Sequence, residues 1–529
     1  MATTIQMITG CVLFAIIWVL LLKDRWPWLP LGRAVSAVFI GSLFVAFNVM
    51  NADEAFASIN IPTLALLTGC MLISAHMEKQ GLYDLLANSL ASKGSPLSFL
   101  IRVSLVSAIA SAIITNDSCC VVLTPLVLKA CLQRKFNPTP YLIAVATNAN
   151  IGSACSPIGN PQNMIIALLG HLYFSTFLGA IFVASFLGVI INTGCIIYIY
   201  RKHILHYDKN KDAIYEPTIQ QLELAGLSPS TVSPKIHNEI PTVVIDPHTS
   251  TTTNHVTNDS HTNHTTDASV LLHIEDNAEA TIDPALMESI TSSANSEAIS
   301  TKNTTTSVSS KTTSSSTPTP TTPVWIPISP WRRKLILFIL AILPILFIAG
   351  DRWMGLSWIS LLGGTLLCII DGGKPEPLLA RIDAQLLLFF SGLFVSVAGF
   401  NATGVPQMVW NELSSVVSMQ TFPGVLVFTL LVVVGSNTVS NVPLTLLLGP
   451  SIASLPKDGS LAWLLLAWIS TVAGNLTLLG SVANLIVAER AKDIHPLTFW
   501  AYAIVGIPST IFMCILGVPL VWGFAQLLV

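Results

Sequence analysis

The sequence has few charged residues, and this scarcity excludes most classes of soluble protein. Asp, Glu, Lys and Arg make up 10% of its 529 residues, whereas soluble domains carry about 25%. The net charge of −3 is too small to indicate a strongly acidic or basic partner, so a nucleic-acid-binding protein is excluded as well. With 52% apolar residues, the remaining class is a multi-pass integral membrane protein.

Sequence signatures of enzymes, metal sites and disulfide frameworks are also missing. The nine cysteines lie in apolar segments without Cys-x-x-Cys spacing, so we expect neither a zinc site nor a disulfide framework. There is no His-Glu-x-x-His motif, no Gly-x-Gly-Asp motif and no apparent pair of carboxylates within the membrane. The sequence therefore predicts a protein that is not an enzyme and that holds no cofactor and no resident metal.

What the sequence does contain is a series of long apolar runs. Eight of them approach or exceed the length of about 20 residues that crosses a bilayer: 7–22, 32–50, 60–76, 172–200, 333–350, 355–370, 383–399 and 497–526. Four longer apolar stretches are interrupted by Gly, Pro and polar residues, at 97–133, 138–169, 421–455 and 461–488. The interrupted stretches predict hairpins and broken helices in place of single straight spans.

A polar segment divides the chain. Between Ser300 and Thr322, 17 of 23 residues are Ser or Thr, and residues 204–329 contain no run that could span a membrane. Such a composition buries too little apolar surface to offset the entropy of ordering. We therefore predict a membrane repeat at 1–203, a disordered Ser/Thr-rich cytoplasmic linker at 204–329 and a second membrane repeat at 330–529.

The two membrane halves match each other at a fixed offset, which indicates duplication. Thr115-Asn116-Asp117 aligns with Ser436-Asn437-Thr438 at an offset of 321. Further matches at this offset are Thr124 with Thr445, Ser156 with Thr477, Gly159 with Gly480 and Asn163 with Asn484. Upstream, Thr68-Gly69 and Gly81 match Ser391-Gly392 and Gly404 at an offset of 323.

The sequence of each copy predicts the same order of elements. Three spans are followed by an amphipathic segment (77–93 or 401–418), a hairpin that turns at Asn116 or Asn437, a broken span and a final span. Five crossings per copy invert the second copy relative to the first, the plan of many secondary transporters. The predicted fold is therefore an all-α polytopic membrane protein with two inverted repeats, about ten full spans and two re-entrant hairpins.

The distribution of Lys and Arg gives an independent prediction of orientation. With the linker in the cytoplasm, sixteen Lys and Arg residues fall in inside loops, and only Arg352 and Lys457 fall in outside loops. Enrichment of Lys and Arg is typical of cytoplasmic loops. We expect a protein of the plasma membrane with both termini outside; a homodimer is left open.

The interrupted stretches also carry most of the polar residues at membrane depth. Gly and Pro leave backbone groups unpaired there, and such breaks persist only where they face protein or a water-filled cavity. Half-helix N-termini and Asn, Ser and Thr side chains can then bind a hydroxylated solute or an ion. The candidate binding residues are Thr115, Asn116, Asp117, Asn150, Gly152, Ser156, Gly159, Asn160, Asn163, Ser436, Asn437, Thr438, Asn441, Gly474, Asn475, Thr477, Gly480 and Asn484. The competing interpretation is that these small residues only pack helices together.

Asp117 is the one carboxylate among the hairpin turns and broken-helix centres, and its repeat partner Thr438 is neutral. An ionisable residue within the membrane is by default a functional hypothesis because its desolvation is costly. We predict that it carries the coupling proton. The alternative is a structural role, in which Asp117 caps the N-terminus of the returning helix of the hairpin.

These residues resemble a known group of transporters. Residues 115–124 (Thr-Asn-Asp-Ser-Cys-Cys-Val-Val-Leu-Thr), Ala149-Asn150-Ile151-Gly152 and residues 156–163 (Ser-Pro-Ile-Gly-Asn-Pro-Gln-Asn) resemble the plant low-silicon-type silicon efflux transporters. So do Pro30-Leu31-Gly32-Arg33 and residues 53–59. Wider relatives are the arsenite and antimonite efflux pumps, within the ion transporter superfamily that includes citrate-transporter-like proteins and dicarboxylate/sodium symporters. Ser436-Asn437-Thr438 resembles the hairpin motif of those symporters, while Pro125 follows the arsenite-pump pattern and departs from the plant one.

The resemblance implies a scaffold and a transport domain with two re-entrant hairpins, and efflux of silicic acid or arsenite coupled to proton entry. Its partners would be a small solute, a coupling ion and the lipid bilayer. The absence of Lys and Arg from the hairpin tips and broken-helix centres suits an uncharged ligand. The alternative is a sodium-coupled symporter of citrate, a dicarboxylate or another anion, with sodium at the Asn-bearing tips.

Overall fold

The computed structural model describes residues 3–21, 32–91, 94–205, 215, 217–227, 329–455 and 459–528, and within these ranges all regular structure is helical. The helices of the first half are α1 (Thr4–Leu21), α2 (Arg33–Ala46), α3 (Ala52–Ser58), α4 (Ile61–Lys79), α5 (Leu82–Ala91), α6 (Pro96–Ile113), α7 (Asn116–Arg134), α8 (Thr139–Ser153), α9 (Pro161–Leu169), α10 (Phe174–Ile199), α11 (Arg201–Ile204) and α12 (Ile219–Leu224). Those of the second half are α13 (Pro330–Met354), α14 (Leu356–Asp371), α15 (Glu376–Leu379), α16 (Ala384–Ala402), α17 (Val405–Ser414), α18 (Phe422–Val439), α19 (Asn441–Ala453), α20 (Gly459–Ala473), α21 (Val482–Ala491) and α22 (Phe499–Leu528).

The predicted all-α membrane architecture is confirmed. Among the described residues, eight helical segments are long and apolar enough to cross a membrane, and four shorter apolar helices accompany them. The interrupted stretches form the pairs α6–α7, α8–α9, α18–α19 and α20–α21. Both predicted amphipathic segments are cut at a matched glycine, because Gly81 and Gly404 each adopt a left-handed φ, of 75° and 76°, between two helices.

The spans of the two halves pack across one another in parallel pairs. Near its start, α14 contacts the start of α4, where the Ser357 hydroxyl donates to the Pro62 carbonyl at 2.8 Å. Near their ends, Lys79 Nζ pairs with Asp371 Oδ2 at 2.7 Å, so α4 and α14 run in the same direction. The pair α2 and α16 is parallel in the same way, with Ser396 donating to the Ala37 carbonyl at 3.2 Å.

This pairing is what an inverted repeat produces. By sequence, α2 corresponds to α14 and α4 corresponds to α16. Because consecutive spans run in opposite directions, α2 opposes α4, and α4 is parallel to α14. The equivalent helices α2 and α14 therefore run in opposite directions, as the two copies of an inverted repeat must.

Matched glycines allow these helices to approach closely. A Cβ at Gly69 of α4 would lie 2.4 Å from the backbone carbon of Ser360, and a Cβ at Gly392 of α16 would lie 2.4 Å from the backbone nitrogen of Val38. Gly69 and Gly392 are repeat partners, so the same contact occurs in both halves. Small residues at such crossings let helix backbones pack tightly where lipid provides no hydrophobic drive.

The two hairpins turn at different places in their sequences. In the first, α6 ends at Ile113 and α7 begins at Asn116, close to the prediction. In the second, the predicted turn at Asn437 is wrong, because α18 continues to Val439 and the chain turns at Ser440, whose φ is 75°.

Side chains at matched positions account for this difference. Thr115 accepts the backbone N–H of Ser118 ahead of it at 3.3 Å and so begins a new helix. Asn437 and Thr438 instead donate backwards to the carbonyls of residues 433 and 434, at 3.0 and 2.7 Å. Bonds to the preceding turn extend α18 and do not start another helix.

Part of the predicted linker is folded onto the membrane halves. The apolar side chains of Leu222 and Leu227 pack on Leu132 at the end of α7. Gln221 Nε2 donates to the Ile494 carbonyl at 2.6 Å. This piece of the linker is ordered, contrary to the prediction, because it buries apolar side chains against both halves. Most of the remaining linker lies outside the described residues.

The loop beneath this segment contains a partly buried histidine. The His495 ring is within hydrogen-bond distance of the Thr139 hydroxyl at 2.8 Å and of the Tyr215 hydroxyl at 3.2 Å. Partial burial lowers the pKa of His495 below its usual value, because charging the ring costs solvation. The ring thus joins the beginning of α8, the loop before α22 and the linker.

Candidate functional site

The two broken helices are held open by the same side chain in each half. Asn163 Nδ2 donates to the carbonyls of Ser153 and Ser156 at 3.1 and 3.2 Å. Its repeat partner Asn484 donates to the carbonyls of Gly474 and Thr477 at 2.8 and 3.1 Å. Gly474 and Thr477 are in turn the repeat partners of Ser153 and Ser156. Each amide therefore satisfies carbonyls that the helix break would leave unpaired in lipid.

Asn150 joins the two halves through four side-chain contacts. Its Nδ2 donates to Asn475 Oδ1 at 2.8 Å and to Asn484 Oδ1 at 3.0 Å. Its Oδ1 accepts from Asn116 Nδ2 at 2.9 Å and from Ser481 Oγ at 3.1 Å. One buried amide thus connects the first hairpin tip, the first broken helix and the second broken helix.

The second half has a matching arrangement around Thr471, the repeat partner of Asn150. Its hydroxyl accepts from Gln162 Nε2 at 2.7 Å and from Asn160 Nδ2 at 3.5 Å. In the second hairpin, Ser436 donates to Asn441 Oδ1. Polar side chains of both halves are therefore interlocked, which is the basis for treating them as one site.

A cavity of about 620 Å³ lies between the hairpin tips, the broken helices and the starts of α2 and α16. Its polar lining from hairpins and broken helices is Asn116, Asp117, Asn150, Asn160, Gln162, Ser436, Asn437, Thr438, Ser440, Asn441, Thr471 and Ser481. Arg33, Asp383 and Gln385 line it from the starts of α2 and α16. The rest of the wall is apolar and includes Leu386, Phe389 and Leu479. The polar part of the wall is thus mostly amide and hydroxyl groups, which both donate and accept hydrogen bonds.

Eight of the candidate binding residues line this cavity: Asn116, Asp117, Asn150, Asn160, Ser436, Asn437, Thr438 and Asn441. The other ten lie outside its lining: Thr115, Gly152, Ser156, Gly159, Asn163, Gly474, Asn475, Thr477, Gly480 and Asn484. Several of these ten support the wall from behind. A Cβ at Gly152 would lie 2.1 Å from the Ala108 carbonyl oxygen, and a Cβ at Gly159 would lie 2.3 Å from the Ser153 carbonyl oxygen.

Asp117 occupies the first turn of α7 but does not cap it. The cap is Thr115, whose side chain accepts from Ser118 N, so the predicted structural alternative for Asp117 is wrong. Among the residues that the structure describes, no donor lies within hydrogen-bond distance of the Asp117 carboxylate. The half-buried carboxyl group instead faces the cavity.

The sequence-based search missed the charged residues that reach the cavity from α2 and α16. Arg33 and Asp383 stand at the starts of apolar spans, where charged residues are ordinary loop features, and only the fold brings them to the cavity. Asp117 and Asp383 line one cavity, Asp383 from an exposed position at the cap of α16.

Thiol groups do not contribute to the cavity lining. Cys119 and Cys120 are fully buried beside Asp117 on α7, and Cys155 is buried after α8. Within the described ranges, no group of three or more His, Cys, Asp or Glu side chains could hold a metal ion. The chemistry available to a ligand in the cavity is thus hydrogen bonding, with three charged groups around it.

Comparison with known proteins identifies the family. The citrate transporter family matches residues 12–473. The silicon efflux transporter LSI3 of Oryza sativa subsp. japonica is 34% identical over 98% of this chain and 99% of its own length. The putative transporter arsB of Dictyostelium discoideum is 33% identical over 93% of this chain and 88% of its own length.

Among solved structures, the chain is similar to the YdaH transporter of Alcanivorax borkumensis. The TM-score is 0.44 and the sequence identity 14%, with 98% of this chain and 97% of the other covered. The inverted repeat is therefore inferred from the sequence repeat and the helix packing of this chain alone.

Proposed function

The chain belongs to the citrate transporter family and is a membrane transporter, and from this premise we propose that it exports a small hydroxylated solute, such as silicic acid or arsenous acid, in exchange for protons. The single observation that carries this proposal is the cavity lining. Twelve polar side chains from the hairpins and broken helices surround it, and eleven of them are neutral amides or hydroxyls. Such groups match the hydroxyls of an uncharged acid, each of which donates one hydrogen bond and can accept two.

Asp117 is the proton carrier in this proposal. Its carboxyl group faces the cavity from the first turn of α7, and the helix cap is supplied by Thr115. The first-turn position stabilises the carboxylate through the helix dipole, while apolar surroundings stabilise the neutral acid. Both protonation states are thus accessible, as a group that takes up a proton on one side and releases it on the other requires.

The proposed direction rests on the positions of charged residues. We propose that the linker is cytoplasmic, following the excess of Lys and Arg in the loops on that side, and that the membrane is the plasma membrane. The starts of α2 and α16, which line the cavity, then lie at the cytoplasmic end of their spans. The cavity would load its solute from the cytoplasm in this state. Alternating access would then carry the solute outwards as the proton moves inwards.

The relatives support the substrate class in different ways. One relative is named a silicon efflux transporter and another a putative arsB transporter, whereas the family is named for citrate transport. A sodium-coupled symporter of citrate or another carboxylate is therefore the second candidate. The Arg33 side chain at the cavity favours it, because a guanidinium group binds carboxylates.

Transport by purified protein in proteoliposomes distinguishes these candidates. The vesicles are loaded or bathed with silicic acid, arsenite or citrate, under an imposed gradient of protons or of sodium. We expect silicic acid or arsenite to accumulate against its own gradient only when a pH gradient is imposed. Accumulation of citrate driven by sodium, and indifferent to the pH gradient, would overturn the proposal in favour of the symporter.

A further inference from the structure

All three charged residues of the cavity have neutral counterparts in the repeat. At the offsets that relate the halves, Asp117 corresponds to Thr438, Asp383 to Asn60 and Arg33 to Leu356. The amide network behind the cavity is duplicated, with Asn163 and Asn484 making matching hydrogen bonds. The amide contacts are therefore duplicated, whereas the charged residues of the cavity are not.

The local structural role of Asp383 does not need a charge. Its Oδ1 accepts the Leu386 backbone N–H at 2.9 Å and caps α16. Its repeat partner Asn60 accepts the Thr63 N–H at 2.9 Å and caps α4 with a neutral amide. The same cap geometry is thus made with and without a carboxylate, so the negative charge of Asp383 has another consequence.

That consequence is felt by Asp117. The two side chains line one cavity from opposite elements, Asp117 from the first hairpin and Asp383 from the start of α16. Two negative charges that face one cavity repel each other. Two carboxylates that share such a site are costly to ionise together, so one of them holds a proton more tightly than it would alone.

Resting on the proposed function, we propose that Asp383 is a positioning residue that forms a carboxyl pair with Asp117 and sets the pH at which Asp117 takes up the coupling proton. The α2–α16 pair contributes one carboxyl group and the first hairpin contributes the other. The pair exists only when the hairpin tip faces the start of α16. When Asp117 moves away from Asp383, its carboxyl group binds the proton less tightly. Proton transfer is thereby coupled to the change of access.

The other titratable and charged groups around Asp117 do not replace Asp383 in this role. Arg33 lines the same cavity from α2 and carries a guanidinium group, not a carboxyl group. The other titratable or charged side chains on α7 and on the elements around it lie outside the cavity lining: Cys119, Cys120, Cys131, Tyr83, Tyr141, Tyr502, Asp84, Arg102, Lys129, Arg134, Glu489 and Arg490. Asp383 is thus the second carboxyl group in the cavity lining.

Asn60 supplies the test substitution, because Asn is the residue that caps the equivalent helix. Asp383→Asn removes the charge and keeps the cap. In the proteoliposome assay, we expect this variant to transport with a pH midpoint lowered by about 0.5–1 unit, since two unit charges across a cavity interact by roughly 1 kcal/mol or more. Gln385→Glu adds a carboxyl group to the same wall, and its midpoint should rise.

Two control variants separate the effect of charge from that of structure. Asp383→Ala removes cap and charge together, so it should show the same shift in midpoint with a lower thermal stability. Asp84→Asn removes an exposed carboxylate outside the cavity and should leave the midpoint unchanged. An unshifted midpoint in Asp383→Asn, beside a wild type that is driven by protons, would overturn the carboxyl pair alone. A wild type without proton-driven transport would overturn the proposed function itself.

Discussion

Asn150 shows how one residue can hold a duplicated site together. Its amide donates to Asn475 and Asn484 and accepts from Asn116 and Ser481, and it is almost fully buried. Removing it would leave buried polar atoms of both halves without hydrogen-bond partners. Each such atom costs about 1–3 kcal/mol.

Replacing Asn150 by Ala should therefore lower both stability and transport. We expect a loss of about 2–4 kcal/mol, seen as a clearly lower unfolding temperature in detergent, together with loss of solute flux. Asn411→Ala, at an exposed position of α17, is the matched control and should change neither. An Asn150→Ala protein as stable as the control would contradict the role of Asn150 as a joint between the halves.

At the residue scale, the sequence indicated the amide cluster but not its full chemistry. The repeated Asn and Gly residues around each helix break were recognisable because they stand at fixed positions within apolar stretches. Arg33 and Asp383 carry no such signal, since a charge before a span is typical of any membrane protein. Their approach to Asp117 results from the pairing of α2 with α16, which is a tertiary property.

At the scale of helices, the close crossings of α4 with α14 and of α2 with α16 depend on Gly69 and Gly392. A Cβ at either position would overlap the backbone of the partner helix at 2.4 Å, and that backbone cannot move aside as a flexible side chain could. The helices would have to separate, and the packing that joins the two halves would be lost along their length.

Gly69→Val and Gly392→Val should destabilise the protein to a similar extent, because the two contacts are related by the repeat. The expected cost is about 1–3 kcal/mol for each, measured as thermal unfolding in detergent. Gly194→Val is the control, since a Cβ at Gly194 of α10 meets nothing within 4 Å. Equal stability of the Gly69 variant and this control would show that the close crossing is unimportant.

Helix boundaries were largely predictable, and the exceptions have local causes. The observed spans begin and end within a few residues of the apolar runs, because the bilayer requires long uninterrupted apolar surface. The second hairpin turns later than predicted, since Asn437 and Thr438 bond backwards to α18. The folded piece of the linker at 217–227 was missed because a few leucines in a polar segment give no periodic signal.

At the scale of the whole molecule, the two halves share a backbone plan but differ in charge. The inverted order of the halves was predictable from the odd number of crossings and agrees with the parallel packing of α4 on α14. The asymmetry of the cavity was only partly predictable, since Asp117 was visible in the sequence and its partner Asp383 was not. That asymmetry is what an exchanger needs in order to treat its two sides differently.

The most direct test of this account is pH-gradient-driven transport by Asp117→Asn in proteoliposomes. Asparagine keeps the size and hydrogen-bonding capacity of the side chain but cannot carry a proton between the two sides. We predict that the variant loses accumulation driven by the pH gradient while solute–solute exchange without a gradient continues, and that Asp84→Asn retains both. Full gradient-driven accumulation by Asp117→Asn would contradict the central claim that this carboxyl group carries the coupling proton.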